Sequence, residues 1–294
     1  MTINNDNFDD LVFQHKTTGG VYAWELNAKG FLAGGDLGVP GSTWVAADAS
    51  SDYNADGLDD IIFQNTTNGE VYLWLQNGFT TTSQRSLGVP GVAWEIADSG
   101  DLDGDGNDDI LFQNTGTGEV YAWLQDGLTT KATGSLGAPG TQWTLAAAAD
   151  LNDNGNDELI FQKTDATGEV YVWQQSGLAT TGSFSLGSPG AAWEIQGSGD
   201  FDDSGNEDIV FQNANTGEVY IWLINGTGTG ILSQGSVGFA NGWSIVGTGD
   251  YDGDFHSDLA FQNDATGAVF IWHLSGTTFV SGQDLGIAAG WNVV

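Results

Sequence analysis

The chain has 294 residues, 40% apolar and 12% aromatic, enough to bury a core rather than remain a solvated acidic tail. Five Lys plus Arg face 39 Asp plus Glu, a formal charge of −34 that disfavours nucleic-acid backbones and anionic lipids as partners. The absence of cysteine excludes a disulfide framework, a thiolate metal site and a cysteine nucleophile, and 45 glycines against four prolines point to many tight turns.

The opening MTINNDNFDD has neither the basic start nor the apolar run of a signal peptide, and no apolar stretch reaches the roughly 18 residues of a membrane span. Asn4, Asp6, Phe8 and Asp10 form an acidic loop that lacks an acid at its first position and runs into Leu-Val-Phe-Gln14. A second loop, Asp52-Tyr-Asn-Ala-Asp-Gly-Leu-Asp-Asp60, leads into the strand Asp60–Gln64. The turn Asn65-Thr-Thr-Asn-Gly69 follows, then Glu70–Leu75, in which Val71, Leu73 and Leu75 alternate with Glu70, Tyr72 and Trp74. Thr80–Leu87 reads as a more polar strand, Gly-x-Pro-Gly around Pro90 as a turn, and Trp94–Asp98 as the next strand.

The same order then recurs. Phe-Gln starts at Phe13, Phe63, Phe112, Phe161, Phe211 and Phe261, at spacings of 50, 49, 49, 50 and 50 residues. The twelve tryptophans fall two to a unit. Four strands per roughly 50 residues, without helical periodicity, predict an all-β, six-bladed β-propeller of four antiparallel strands per blade over residues 1–294. The chain ends on Gly290-Trp-Asn-Val-Val294, the strand that the first blade lacks, so the C-terminal strand is expected to close the ring by joining the N-terminal blade.

The acidic loops carry the chemistry. Oxygen donors at positions 1, 3, 5 and 9, with the carbonyl of position 7 and a glycine at position 6 for the sharp turn, suit a hard cation of calcium's size. The sets are Asp52, Asn54, Asp56, Leu58 and Asp60; Asp101, Asp103, Asp105, Asn107 and Asp109; and Asp150, Asn152, Asn154, Asn156 and Glu158. Two more are Asp200, Asp202, Ser204, Asn206 and Asp208; and Asp250, Asp252, Asp254, His256 and Asp258. About five calcium sites are expected, with Asn4, Asp6, Phe8 and Asp10 a degenerate sixth. Solvated turns are the bland alternative, but 25 of the 39 acids lie in these loops, in phase with the strand repeat.

These loops, followed by Asp-Ile-x-Phe and Gly-Glu-Val-Tyr-x-Trp, resemble the FG-GAP/VCBS repeats of integrin α-subunit propellers and of many secreted bacterial proteins, in all six units. The resemblance implies that the metal loop joins the innermost strand A (Trp94 type) to B (Phe63 type), on the face opposite the B-to-C and D-to-A turns. C is then the Trp74-type strand and D the outer polar one. Phe255 replaces the position-6 glycine of the last loop, and Asn54, Asn152, Asn154 and Ser204 replace acids, so weaker or differently shaped sites are expected there. Loops of this kind load at extracellular calcium levels, which sets the expectation of an extracellular or cell-surface protein exported by a signal outside this chain or excised from a longer one.

No Ser/His/Asp arrangement or zinc motif stands out, and His15, His256 and His273 do not recur. Thr-Gly-Glu-Val-Tyr-Ala-Trp123 resembles the tryptophan-docking motif of quinone-dependent alcohol dehydrogenases, but the Trp follows Gly118 by five residues rather than four and those propellers have eight blades. A non-enzymatic, monomeric binding module is therefore expected, whose partner is a glycan or an extracellular or cell-surface protein, with no nucleic acid and no membrane insertion. The lectin-like reading assigns sugar contacts to Gln64, Asn65, Gln113, Asn114, Gln212, Asn213, Gln262 and Asn263, with Trp74, Trp123, Trp222 and Trp272 as stacking rings. It expects poor binding where His15 and Lys163 replace the amide. The plainer reading makes each Gln an interblade hydrogen-bonding group and each Trp a wedge between sheets.

Overall fold

The computed structural model describes residues 2–4 and 6–294. Blade one holds β1 (Leu11–His15), β2 (Val21–Asn27) and β3 (Gly30–Gly38). Blade two is β4 (Trp44–Ser51), β5 (Asp60–Asn65), β6 (Val71–Asn77) and β7 (Thr80–Gly88). Blade three is β8 (Trp94–Gly100), β9 (Asp109–Asn114), β10 (Val120–Asp126) and β11 (Thr129–Gly137). Blade four is β12 (Trp143–Ala149), β13 (Glu158–Lys163), β14 (Val170–Ser176) and β15 (Ala179–Gly187). Blade five is β16 (Trp193–Gly199), β17 (Asp208–Asn213), β18 (Glu218–Ile224) and β19 (Ile231–Phe239). Blade six is β20 (Trp243–Gly249), β21 (Asp258–Asn263), β22 (Ala268–Ser275) and β23 (Thr278–Ile287). β24 (Trp291–Val293) then returns to blade one, in the order β24-β1-β2-β3. Its pairing, Phe13 with Val293, Gln14 with Asn292 and His15 with Trp291, is the closure expected from the repeat.

The core lies between blades, because each sheet has two apolar faces and only its neighbours can cover them. Phe13, Phe63, Phe112, Phe161, Phe211 and Phe261 are all buried on their B strands. Each packs against the strand-C tryptophan of its own blade, with ring centroids 4.5–4.8 Å apart. In blades two to six the far edge of that tryptophan meets the preceding blade at a glycine. A Cβ at Gly88 (φ 150°) would lie 3.1 Å from Trp123, and one at Gly187 (φ 147°) 3.3 Å from Trp222. Glycine serves there twice, for the backbone angle and for the close approach.

The ladder between strands C and D slips twice in each blade; in blade two it slips between Val71 and Tyr72 and between Leu75 and Gln76, the extra residues Leu87 and Thr82 bulging on β7. Opposite the second bulge, Gln76, like Gln125 in blade three, is buried, while Leu75, which strict alternation would face inward, is half-buried.

Candidate metal loops and binding face

Each A-to-B loop is wound around its own carboxylates. In the loop of blade three, Asp101 accepts from the backbone N–H groups of Asp103, Gly104, Asp105 and Gly106 at 2.7–3.3 Å. Two loop positions take left-handed backbone, not the one foreseen. Position 4 does so at Ala55, Gly104, Asp153, Asp203 and Gly253, and position 6 at Gly57, Gly106, Gly155 and Gly205. Phe255 keeps that conformation at φ 70°, and its N–H still reaches Asp250 at 2.9 Å. The last loop therefore keeps the backbone of its siblings without the glycine.

Position 9 is the most buried acid of each loop. Asp60 accepts from the N–H of Tyr53 at 3.1 Å and of Gln76, opposite the bulge, at 2.8 Å. Asp10, Asp109, Asp208 and Asp258 repeat this tie between loop and C strand. Burial pushes Asp60 up to about 8 and Asp10, Asp109, Glu158 and Asp208 up to about 7, against the lowering effect of those backbone donors. Donor atoms of Asp101, Asp103 and Asp109 come within 4.8 Å of one another, as do those of Asp200, Asp202 and Asp208. At position 3, Oδ1 of Asn4, Asn54, Asp202 and Asp252 is buried without a hydrogen-bond partner, as is Oδ1 of Asn206 at position 7. Unpartnered buried oxygens are uncommon, and here they recur at the positions from which a cation would be held. The donor sets fit calcium.

Blade three differs from its siblings. Lys131, reaching over from β11, contacts Asp105 and lies 3.5 Å from Asp103, so an ammonium sits among the acids of this loop.

Position 8, which sequence reading passed over, links the loops into a ring. Its N–H donates to the position-1 carbonyl of the preceding loop: Asp59 to Thr2, Asp108 to Asp52, Asp157 to Asp101, Glu207 to Asp150, Ser257 to Asp200 and Asp9 to Asp250, at 2.7–2.9 Å. The side chains of Asp108, Asp157 and Asp9 accept in return from the N–H of Asp52, Asp101 and Asp250. Asp9, Asp108, Asp157 and Glu207, together with Asp98, line a central cavity of about 700 Å³. Burial raises Asp98 and Glu207 to about 7 and Asp59 to about 6.

The opposite face carries the residues assigned to sugar contacts, and there the structure corrects the assignment. The Gln64 amide donates to the carbonyl of Trp94 at 2.7 Å and accepts from the N–H of Ile96 at 3.1 Å, both in the next blade. Gln14, Gln113, Gln162, Gln212 and Gln262 do the same. Gln64, Gln113, Gln212 and Gln262 are interblade clamps with both ends of the amide engaged. Asn65, Asn114, Asn213 and Asn263 cap their own B-to-C turns, each Oδ1 accepting from N–H groups two or three residues on. His15 Nδ1 and Asp165 fill that role where the amide is missing, and Lys163 pairs with Asp165 at 2.9 Å. Trp74, Trp123, Trp222 and Trp272 are the wedge rings described above.

What remains open on this face is the set of strand-A aromatic pairs, with the edges of Trp74 and Trp272 beside them. The strand-A tryptophan meets the strand-C tyrosine edge-on, as in Trp44–Tyr72 at 5.7 Å and Trp193–Tyr220 at 5.5 Å. Grooves between blades run past such pairs. One of about 450 Å³ is lined by Val39, Pro40, Trp44, Tyr72 and Trp74, and another of about 370 Å³ by Phe239, Trp243, Phe270 and Trp272. Val39 and Phe239 form lips of these grooves and Ile287 that of a smaller one, while Val89 and Val92 are exposed in another D-to-A connection, all five at 60–67%. The periodic Trp and Tyr were visible in the sequence; that their edges border open grooves was not, because it depends on how far adjacent blades splay.

No curated protein matches the chain in sequence. Among solved structures it is similar to a chain in a nidogen/laminin complex, at TM-score 0.65 and 11% identity over 97% of this chain and 95% of that one. A chain of a mitotic checkpoint complex gives 0.54 and 11% over 93% and 89%. An auxiliary nutrient binding protein from Bacteroides thetaiotaomicron VPI-5482 gives 0.50 and 12% over 96% and 80%. At such identities the likeness is one of fold. The family described as FG-GAP-like repeat matches residues 52–112 and again residues 101–161, the spans that run from one acidic loop through the next Phe-Gln strand. The chain is thus a six-bladed β-propeller that carries FG-GAP-like repeats over residues 52–161.

Proposed function

We propose that the chain is an extracellular protein-binding module, stabilised by calcium in its A-to-B loops and engaging its partner on the opposite face. The observation that carries the binding assignment is the pair of inter-blade aromatic grooves lipped by exposed Val39 and Phe239, with Val89, Val92 and Ile287 exposed in equivalent connections of other blades. An exposed apolar lip beside an aromatic groove is a feature of interaction sites. A partner with a basic surface and protruding apolar side chains suits both the charge and the grooves. The nidogen/laminin likeness is in keeping with protein recognition. Calcium is supported by the unpartnered position-3 oxygens and the clustered acids. Binding rather than catalysis is the role that these groups can perform.

A second reading, glycan binding, is favoured by the Trp–Tyr edges alone, since the amides first assigned to it are engaged elsewhere. One comparison separates the two. Calcium-loaded protein is tested on a glycan array and against a panel of extracellular matrix proteins, beside Trp44→Ala and a Val39→Ser/Val89→Ser/Phe239→Ser variant. Protein binding lost in the triple variant supports the proposal. Array binding lost in Trp44→Ala and kept in the triple variant replaces it. Melting with chelator, calcium or magnesium tests the metal assignment separately: calcium should raise Tm most, and identical melting in all three would remove it.

A further inference from the structure

Blade six departs from its siblings at one side chain of its C strand. Leu75, Leu124 and Leu223 stand immediately before the second register slip of their strands; in β22 that residue is His273, only 6% exposed. Its Nδ1 lies 2.8 Å from Asp258 Oδ2 and 3.4 Å from Asp252 Oδ2, and the three donor atoms fall within 4.8 Å of one another. Position 9 thus leaves the position 1–3–9 grouping of blades three and five for one with an imidazole. Asp252 belongs also to a second group, with Asp250 and Asp254, and its Oδ1 is buried without a partner.

The other ring nitrogen fixes how the imidazole is used. Nε2 lies 3.3 Å from Gln283 Oε1, an atom that can only accept, so Nε2 carries a hydrogen and donates. Nδ1 faces two carboxylates, and the positive charge between them is supplied either by a ring proton or by a cation bound in its place. A histidine ligand whose far nitrogen is held by a carbonyl is the usual support of a metal-bound imidazole. Donor separations of 2.8 and 3.4 Å bracket the edge of about 3.3 Å expected for a tetrahedron with arms of about 2.0–2.1 Å, the lengths of zinc–nitrogen and zinc–carboxylate bonds. Calcium prefers an all-oxygen shell at about 2.3–2.6 Å, whereas imidazole nitrogen favours zinc and its first-row neighbours.

We propose that blade six holds a borderline divalent transition ion through His273 Nδ1, Asp252 and Asp258, so that one blade of the ring is chemically distinct from the calcium-type loops. The inference rests on the reading of the loops as cation sites but not on calcium being the ion elsewhere. When the ion binds, any proton on Nδ1 leaves to buffer, and Nε2 keeps its hydrogen, donated to Gln283 Oε1.

The test uses the whole chain with zinc as the probe, titrated by calorimetry in millimolar calcium, with calcium stoichiometry measured in parallel. One zinc per chain is expected to bind at least tenfold tighter than any other. His273→Leu, which restores the residue of three sibling blades, should abolish that site and leave calcium binding by blades two to five unchanged. Gln283→Leu, a milder change that removes only the support of the ring, should weaken zinc by about 10- to 100-fold. Zinc X-ray absorption should show an imidazole nitrogen at about 2.0 Å. Unchanged zinc binding in His273→Leu, or an oxygen-only shell, overturns the proposal, as does loss of the site in His256→Asn with retention in His273→Leu. Zinc binding without calcium binding sinks the calcium reading and leaves this one standing; calcium without a tight zinc does the reverse.

Discussion

At the scale of single residues, the loops show where stability has been traded away. Phe255 is a bulky side chain held at φ 70°, 73% exposed, with no packing to offset the backbone conformation. Left-handed backbone costs a residue with a Cβ roughly 1–2 kcal/mol, and glycine is nearly free of that cost. Phe255→Gly, which restores the glycine of the other loops, should stabilise the chain by about 1 kcal/mol in urea unfolding, and a loss of stability would show that the ring packs in a way that its exposure hides. Lys131 makes a complementary case. Its ammonium lies against Asp103 and Asp105, and Coulomb attraction between loop and ion must compete with it. Lys131→Thr, the residue at Thr82 one blade earlier, should tighten calcium binding to the 101–109 loop several-fold while slightly lowering metal-free stability. Calorimetry of the two proteins side by side checks this, and equal affinities would mean that the lysine swings clear at no cost.

Among the elements, the amide clamps have the largest leverage. Gln113 bridges the Trp143 carbonyl and the Leu145 N–H across two blades. Removing it leaves two half-buried backbone groups without partners, at about 1–3 kcal/mol each. Gln113→Ala should therefore cost about 2–4 kcal/mol in urea denaturation, whereas Asn114→Ala, which loosens only one turn cap, should cost about 1 kcal/mol. Comparable small losses for both would demote the clamp. These elements also show what the sequence could and could not tell. The strands, their order and the β24 closure were legible because every feature that defines a blade is local and occurs six times. The bulge opposite Gln76, the second left-handed position at Ala55 and the ring bonds from Asp108 to Asp52 were not, since each answers to a partner strand or a neighbouring blade. Lys131 and His273 were hidden for the opposite reason: they occur once, and a reading built on periodicity passes over what does not repeat. The sugar-contact assignment to Gln64 and its counterparts failed because recurrence marks a structural need as readily as a binding one.

Over the whole molecule, the acids set how stability responds to pH. Burial holds Asp60 at about 8, Asp10, Asp109, Glu158, Asp208, Asp98 and Glu207 at about 7, and Asp59 at about 6, above the unfolded values of about 4. Between about pH 4 and 8 the folded state therefore binds more protons than the unfolded one, and its stability falls as pH rises. In chelator, Tm should be higher at pH 5 than at pH 8. Millimolar calcium, which replaces the protons as the charge that offsets these acids, should flatten or reverse the trend. A metal-free Tm that climbs with pH would contradict the burial of these groups.

The pairing of β24 with β1 has one more consequence, for the order in which the ring is written. Trp291 and Val293 occupy the register of Trp94 and Ile96, and Thr2 occupies that of Asp101, since Asp59 bonds to one as Asp157 bonds to the other. Between Ala97 and Asp101 lie three residues, Asp98, Ser99 and Gly100. A join of that length from Val294 to Thr2 would turn the two-ended blade into an ordinary one, and new ends could be opened in an exposed D-to-A connection such as Gly91-Val92. Such a circular permutant should fold to the same ring, with near-native circular dichroism and a Tm within a few degrees. What it would relocate is the seam: fraying seen by hydrogen exchange should leave β1 and β24 and appear in blades two and three, on either side of the new opening.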